Sequence, residues 1–490
     1  MPGSTEMHFL GFCNVLAFLF SGLTSQPPRH INLTLPDSGE TCKMVPKEKP
    51  IIVATAFNAP GHTAGLLSIS EHLIKQGFTV YFIAGPDFKA SIEKIGAEFV
   101  ENPWVWAHLI GKATPGDKLW NLKHIFADSI PVAHRVLKET LERIRREKPH
   151  REVLILHESF SNGLAPFVYG APLPEGYSSL PKVINFHTSI YAIKHDSIPP
   201  FGPGLRYDHT PENLALWRSI SDAMEPAVAS VVQHLNDHLK ALGATRPATG
   251  SFFDVLLDLG DVTVLATSPS LEYPLPEPKP KLRFIGGLPL KPLSPTFEFP
   301  SWWPTITNNT ALPADSPDKK KLVFVTQGTA HRNYIDLIIP TINALANRAD
   351  LLVVATLGAR GAELPSSVTI PANTIVVDYF PYDAVLPHAD VFVSNAGYGG
   401  FMQGVMNGVP MVLAGTLADK AEVCARAEYA GVAVNLRAQN PGEDAIRAGV
   451  ENVLGQRRFK ERAVELKEEN EKLDSLKTLE RIIDELVGGQ

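Results

Sequence analysis

Short uninterrupted apolar runs alternate with stretches of helical period along most of this chain. Ile51–Phe57 (IIVATAF) is the kind of run that becomes a strand buried on both faces of a parallel sheet. Thr63–Gln76 follows, with Leu66, Leu67, Ile69, Leu73 and Ile74 at helical spacing and Gly77 as the stop. Phe78–Ala84 (FTVYFIA) is the next run. Strand, helix and strand in this order predict a βαβ unit and hence a parallel sheet. Val153–Leu156, Lys182–Phe186 and Val262–Ala266 extend the series, the last as the final strand of this half. Helices are expected between them near Leu119–Glu147 and Leu214–Leu242.

From Pro274 to Pro304 the chain is too rich in proline to be regular throughout, and it reads as a linker with a short strand near Arg283–Ile285. A second series opens at Lys321–Thr326 (KLVFVT) and continues through Leu351–Ala355, Thr374–Val377, Val391–Ser394 and Met411–Leu413. The expected fold class is α/β, with two Rossmann-like, doubly wound domains facing a cleft. Its divisions are an N-terminal extension (1–46), a first domain (47–272), a linker (273–320), a second domain (321–456) and a Glu- and Lys-rich helical tail (457–490). Ligands of such sheets sit beyond the C-terminal strand ends.

The 490 residues are too many for one core and suit two domains. A formal net charge of -7 argues against nucleic acid as the main partner. The three cysteines (Cys13, Cys42, Cys424) are too few and too scattered for a disulfide framework or a zinc site, and no metal is expected. Phe9–Phe20 is apolar and followed by small residues, like the core of a secretory signal, but no Lys or Arg precedes it. It reads either as a signal or anchor, giving membrane association, or as a plain extension. Localisation therefore stays open between the cytoplasm and the secretory pathway. Asn32-Leu-Thr and Asn308-Asn-Thr are glycosylation acceptors only in the secreted case.

Asp378–Lys420 is the richest segment for chemistry. Ala389–Asn395 (ADVFVSN) is a buried-strand run, Ala396, Gly397, Tyr398, Gly399 and Gly400 form a glycine-rich turn, and a helix is expected from about Phe401 to Asn407. Strand, glycine turn and helix N-terminus together make an anion site suited to a diphosphate. The segment resembles the nucleotide-sugar signature of the UDP-glycosyltransferases (family 1, GT-B fold), fungal and macrolide-type small-molecule enzymes among them. Tyr379 and Pro381 match its opening, Leu386 and His388 its next element, and Gly397, Gly408, Val409, Pro410 and Asp419 the remainder. Asn395 stands where the family usually has His, Gln403 where plant members have Glu, and Lys420 where a closing Gln is expected.

His62 lies in the turn after the first strand, within Pro60-Gly61-His62. A neutral imidazole there can take a proton from a hydroxyl; otherwise it is a turn or helix-capping histidine. The resemblance places the catalytic base at this Gly-His and its orienting acid at Glu158, one methylene longer than the usual Asp. The alternative for Glu158 is a solvated strand end. His157 is a weaker candidate, and His187 either lines the acceptor pocket or is a core histidine. The resemblance also implies donor contacts from Thr326, Gln327, Gly328 and Thr329, uracil stacking by Tyr379 or Phe380, phosphate contact by Asn395, ribose contact by Gln403, and sugar contacts from Asp419 and Lys420. His388 is either a donor contact or a structural brace of its loop. One of Tyr379 and Phe380 must face the core, because neighbours on an extended chain point opposite ways. Trp104, Trp106, Phe126 and Phe160 are candidates to line an apolar acceptor pocket.

No Asp-x-Asp occurs, which favours stabilising the leaving group by backbone dipoles, without metal and without a separate cofactor beyond the UDP-sugar co-substrate. No Gly-x-Gly-x-x-Gly follows the first strand, which argues against a nicotinamide enzyme. The expected activity is an inverting, UDP-dependent hexosyltransferase of secondary metabolism acting on a small lipophilic acceptor. The alternative is a non-catalytic nucleotide-sugar binder or degenerate transferase, motivated by Asn395, Gln403 and Lys420.

Overall fold

The computed structural model describes residues 48–109, 112, 119–274, 281–329 and 331–488. The expectations for residues 1–46, including the Phe9–Phe20 segment and Asn32, lie outside the described residues. Among the described residues, no helix is long and apolar enough to cross a membrane.

The described residues form one compact unit containing two parallel sheets. The first sheet holds β1 (Ile51–Thr55), β2 (Thr79–Ala84), β3 (Glu98–Glu101), β4 (Val153–Glu158), β5 (Lys182–His187), β6 (Val262–Leu265) and β7 (Leu282–Phe284) in the order β3-β2-β1-β4-β5-β6-β7. The second holds β8 (Lys321–Thr326), β9 (Leu351–Thr356), β10 (Thr374–Val377), β11 (Val391–Ser394), β12 (Met411–Leu413) and β13 (Ala433–Asn435) in the order β10-β9-β8-β11-β12-β13. In both sheets the winding reverses between the first strand and a later neighbour: β1 beside β4, and β8 beside β11. A crevice opens beyond the strand ends at such a reversal, and there a doubly wound sheet binds its ligand.

The apolar runs are buried because helices cover both faces. Every residue of β1, β4 and β9 is buried, so these strands read as continuous hydrophobic stretches. Three short strands depart from the sequence expectation. β7 extends the first sheet past β6, so Val262–Ala266 is not its last strand and part of the proline-rich stretch belongs to the domain. β3 is a four-residue strand at a sheet edge with both its glutamates exposed, and β13 has only three residues; neither carries a long apolar run.

The tail breaks at Asp474, which has φ +45°, into helices Arg457–Leu473 and Ser475–Gly488. Leu479, Ile482 and Ile483 of the second helix pack into the first-domain cluster around Ile52, Leu154 and Ile184. Gly286 marks the crossing. Its φ is +84°, and a Cβ there would lie 2.3 Å from the carbonyl oxygen of Asn470. Only glycine accepts both the backbone angle and that approach.

Candidate active site

β1 ends at Thr55, and the helix Pro60–Lys75 begins five residues later, with Pro60 in its first turn, where a missing N–H costs nothing. His62 is thus a first-turn helix residue rather than the cap, which is Ala59. Glu158 is the last residue of the adjacent β4, and Thr188 directly follows β5. Three neighbouring strand ends therefore converge.

His62 Nδ1 lies 2.9 Å from Glu158 Oε1. A carboxylate only accepts, so Nδ1–H is the donor and Nε2 keeps its lone pair. Thr188 Oγ1 donates to the same Oε1 at 2.9 Å, and the Phe57 N–H donates to Oε2 at 3.3 Å. Glu158 is fully buried, whereas His62 keeps 23% of its side-chain exposure. Burial pushes the Glu158 carboxyl up, but His62, Thr188 and the Phe57 amide outweigh it and hold it below the usual carboxylate range. Burial likewise lowers the His62 imidazole, but Glu158, with a smaller contribution from Asp419, leaves it above its ordinary value of 6.5.

Thr188 was not legible as a site residue. The only hint was a hydroxyl residue directly after the strand that neighbours Glu158. His187 explains how it is held: its Nε2–H donates to the Ile190 carbonyl at 2.9 Å, bracing the loop that carries Thr188 and Ser189. His157 faces away from this group, fully buried, with neither ring nitrogen hydrogen-bonded, and burial lowers its pKa to about 4.

Aromatic rings surround the imidazole. Phe160, Phe57 and Phe126 have ring centroids 4.9, 5.5 and 6.3 Å from that of His62. Trp106 packs on Phe57 and donates its indole N–H to the Asn58 carbonyl, while Trp104 donates to the Ile125 carbonyl. From Phe160 the aromatic surface continues through Phe253 to Phe201. There an apolar pocket opens, walled by Phe252, Phe253, Phe201, Met224, Val228 and Ile198.

The second sheet places a helix N-terminus at its own reversal. β11 ends at Ser394, paired with Thr326 at the end of β8. Ala396 has φ +59°, a strained angle for alanine that turns the chain sharply into the helix Tyr398–Met406. This helix starts three residues before the sequence expectation, so Gly399 and Gly400 lie within its first turn. Gly397 is its cap and contributes no side chain, leaving the first-turn amides without a capping partner from it. A Cβ at Gly399 would meet nothing within 4 Å, so the helix end is open to a guest.

Several predicted donor residues are placed differently from the expectation. Phe380 is buried against Trp302, Trp303 and Phe297 and cannot stack on a base; Tyr379 beside it is 41% exposed, with the Arg360 guanidinium 5.0 Å from its ring centre. The Gln327 side chain faces inward, accepting from the Leu337 and Ile338 amides and donating to the Asn333 carbonyl, so it caps a helix. Thr326 Oγ1 is buried on the Thr356 carbonyl and the Tyr382 hydroxyl. Gly328 (φ +76°) and Thr329 form the accessible part of that turn. Asn395 donates from Nδ2 to the Gln327 carbonyl at 2.6 Å, which ties the β8 and β11 turns together rather than facing outward. Gln403 contacts Asp383 at 3.4 Å, and His388 contacts Thr310 Oγ1 at 3.0 Å, which ties its loop to the helix Trp303–Ala311.

Asp419 and Lys420 sit at the start of the helix Lys420–Tyr429. Ser189 donates to Asp419 Oδ2 at 2.6 Å, which joins the two halves beside the His62 group. Behind this contact Arg426, 3% exposed, bonds Glu272 Oε2 at 2.6 Å and Glu422 Oε2 at 3.1 Å. Glu422 in turn accepts from the Gly202 and Gly204 amides. Contacts of Ser189, Glu272, Gly202 and Gly204 with Asp419, Glu422 and Arg426 thus tie the two halves together beside His62.

Residues 341–478 match the family model described as Erythromycin biosynthesis protein CIII-like, C-terminal domain. The chain is 41% identical over 444 residues to UDP-glucosyltransferase 1 of Beauveria bassiana (strain ARSEF 2860), covering 88% of this chain and 94% of that protein. It is 32% identical over 457 residues to UDP-glucosyltransferase B1 of Starmerella bombicola, covering 90% and 99%. Among solved structures, the glycotransferase of kitacinnamycin aligns with a TM-score of 0.64 at 19% identity, covering 90% of this chain and 99% of that one.

Proposed function

The chain belongs to the UDP-glycosyltransferases with the GT-B fold, and on that premise we propose that it is an inverting enzyme moving a hexose from a UDP-sugar to a hydroxyl of a small lipophilic acceptor. The observation that carries this is the His62–Glu158 pair at 2.9 Å, joined through Phe160 and Phe253 to the aromatic wall of an apolar pocket and lying beside the Ser189–Asp419 contact with the second half. His62 Nε2 removes the acceptor hydroxyl proton as the oxygen attacks the anomeric carbon from the face opposite the diphosphate. The anomeric C–O bond breaks, and its electron pair leaves with UDP. The Tyr398, Gly399 and Gly400 amides stabilise the departing charge. The proton stays on His62 as an imidazolium opposite Glu158 until solvent takes it. Tyr379, with Arg360 on one face, offers the ring for the base.

The assembled base favours a catalyst over a binder, since binding alone has no use for an oriented imidazole. Glucose is the first sugar to test, given the relatives' names. Calorimetric titration with UDP, UDP-glucose, UDP-glucuronate, UDP-N-acetylglucosamine and NAD⁺ tests the donor. Binding of UDP and one UDP-sugar but not NAD⁺ supports the reading, and no response to any uridine nucleotide overturns it. Proton NMR of the product then reads the anomeric configuration, inverted if the displacement is direct.

A further inference from the structure

We propose that His124, Asp128, His234 and His238 form a binding site for one Zn²⁺ ion that braces the wall of the acceptor cleft. His124 and Asp128 are one turn apart on the segment that runs from the π-helical turn Leu122–Phe126 into Ala127–Ser129. His234 and His238 are one turn apart on the long helix Pro211–Ala241. The four side chains meet between these elements. His124 Nδ1 lies 2.9 Å from Asp128 Oδ2, and His234 Nε2 and His238 Nε2 lie 2.6 and 2.8 Å from Oδ1. The ligand atoms of His124, Asp128 and His234 all lie within 4.8 Å of one another.

His124, Asp128 and His234 supply three grouped donors, and His238, bonded to the same Asp128 oxygen but outside that group, completes a tetrahedral zinc set by a side-chain shift; a His-x-x-x-His pair on one helix face is a usual half of such a site. The imidazoles crowd each other, with ring centroids of His124 and His234 5.4 Å apart and those of His234 and His238 5.1 Å apart. Binding needs no net proton loss from neutral rings. Each N–H now aimed at Asp128 moves to the other ring nitrogen, which frees a lone pair for the ion. All four side chains are 25–36% exposed, so an ion has a path in. A π-helical turn is rare and is often kept where a site needs it.

The ion takes no part in sugar transfer. Its effect passes through the segment it holds: Phe126, two residues from both His124 and Asp128, packs 4.8 Å from Phe57 and 6.3 Å from His62 between ring centroids. The expectation of no zinc site rested on cysteines and could not see a cluster assembled from positions more than a hundred residues apart.

The test is titration of chelator-stripped full-length protein with Zn²⁺ by calorimetry, with Co²⁺ absorption as a second readout of ligand geometry. The expected result is one saturable site per chain and visible Co²⁺ bands of a four-coordinate ion. The double variant His234→Gln/His238→Gln should weaken binding by more than the roughly 10–100-fold typical of losing an outer-shell partner, and His72→Gln elsewhere on the surface should not. Zinc should raise the unfolding temperature of the wild type and leave its UDP affinity unchanged. Absence of saturable binding to the wild type, or binding that the double variant retains, overturns the proposal.

Discussion

The Thr188 hydroxyl and the His62 imidazole share a single oxygen: both stand 2.9 Å from Oε1 of Glu158. Glu158 is therefore fixed from three directions, with the Phe57 amide on its other oxygen. The carboxylate holds the tautomer of His62 and stabilises the charge that forms on it.

The pH dependence of kcat/KM follows from that contact. In the proposed mechanism His62 acts only when neutral, and burial, which lowers its pKa, is outweighed by Glu158, which leaves it above 6.5. Activity should fall as pH drops through a midpoint above 6.5. In Glu158→Gln the raising contribution goes and burial remains, so the midpoint should move to lower pH while the plateau rate falls by about 10²-fold or more. Glu158→Asp should also lose rate, because the shorter side chain cannot reach His62, Thr188 and Phe57 together. Initial rates across a pH series of the three proteins check this.

Gly399→Asp separates ligand binding from folding. There is room for the side chain, and an acidic residue in the first turn favours the helix itself. The same charge repels a diphosphate. UDP affinity should drop about tenfold or more while the denaturation midpoint holds or rises slightly, measured by calorimetry and chemical unfolding.

Arg426→Met should destabilise the protein. It leaves Glu272 and Glu422, both 2–3% exposed, without their shared cation. Breaking a buried pair from one side costs about 3–5 kcal/mol. Because this network bridges the halves of the cleft, turnover at temperatures well below unfolding should fall as well. Denaturant unfolding and steady-state rates read the two effects.

Gln327→Ala tests a correction to the sequence reading. Its side chain caps the start of a helix in the second domain, so the substitution should cost about 1–3 kcal/mol of stability. The KM for the donor should change little.

The alternation of apolar runs and helical periods revealed both sheets because parallel strands buried on two faces carry long apolar stretches. It missed β3 and β13, whose edge position or brevity removes that signal, and it ended the first sheet one strand early because prolines flank β7. His62 and Glu158 were pointed to chiefly by the family resemblance, and the structure places them 2.9 Å apart at neighbouring strand ends. Thr188 was not legible, since its role depends on β5 lying beside β4. Phe380 and Gln327 show the limit of reading contacts from position: which of two neighbours faces the cleft is decided by packing, here by Trp302 and Trp303 from the linker. Asn395 is held inward by a single carbonyl that no spacing rule predicts.

The most direct test of the account is the His62→Ala variant, assayed in parallel for UDP binding by calorimetry and for UDP release with UDP-glucose and a panel of phenolic, sterol and hydroxy-lipid acceptors. The account predicts UDP affinity close to wild type and turnover reduced by about 10²–10⁴-fold. Turnover equal to wild type would contradict the role of His62 and with it the mechanism.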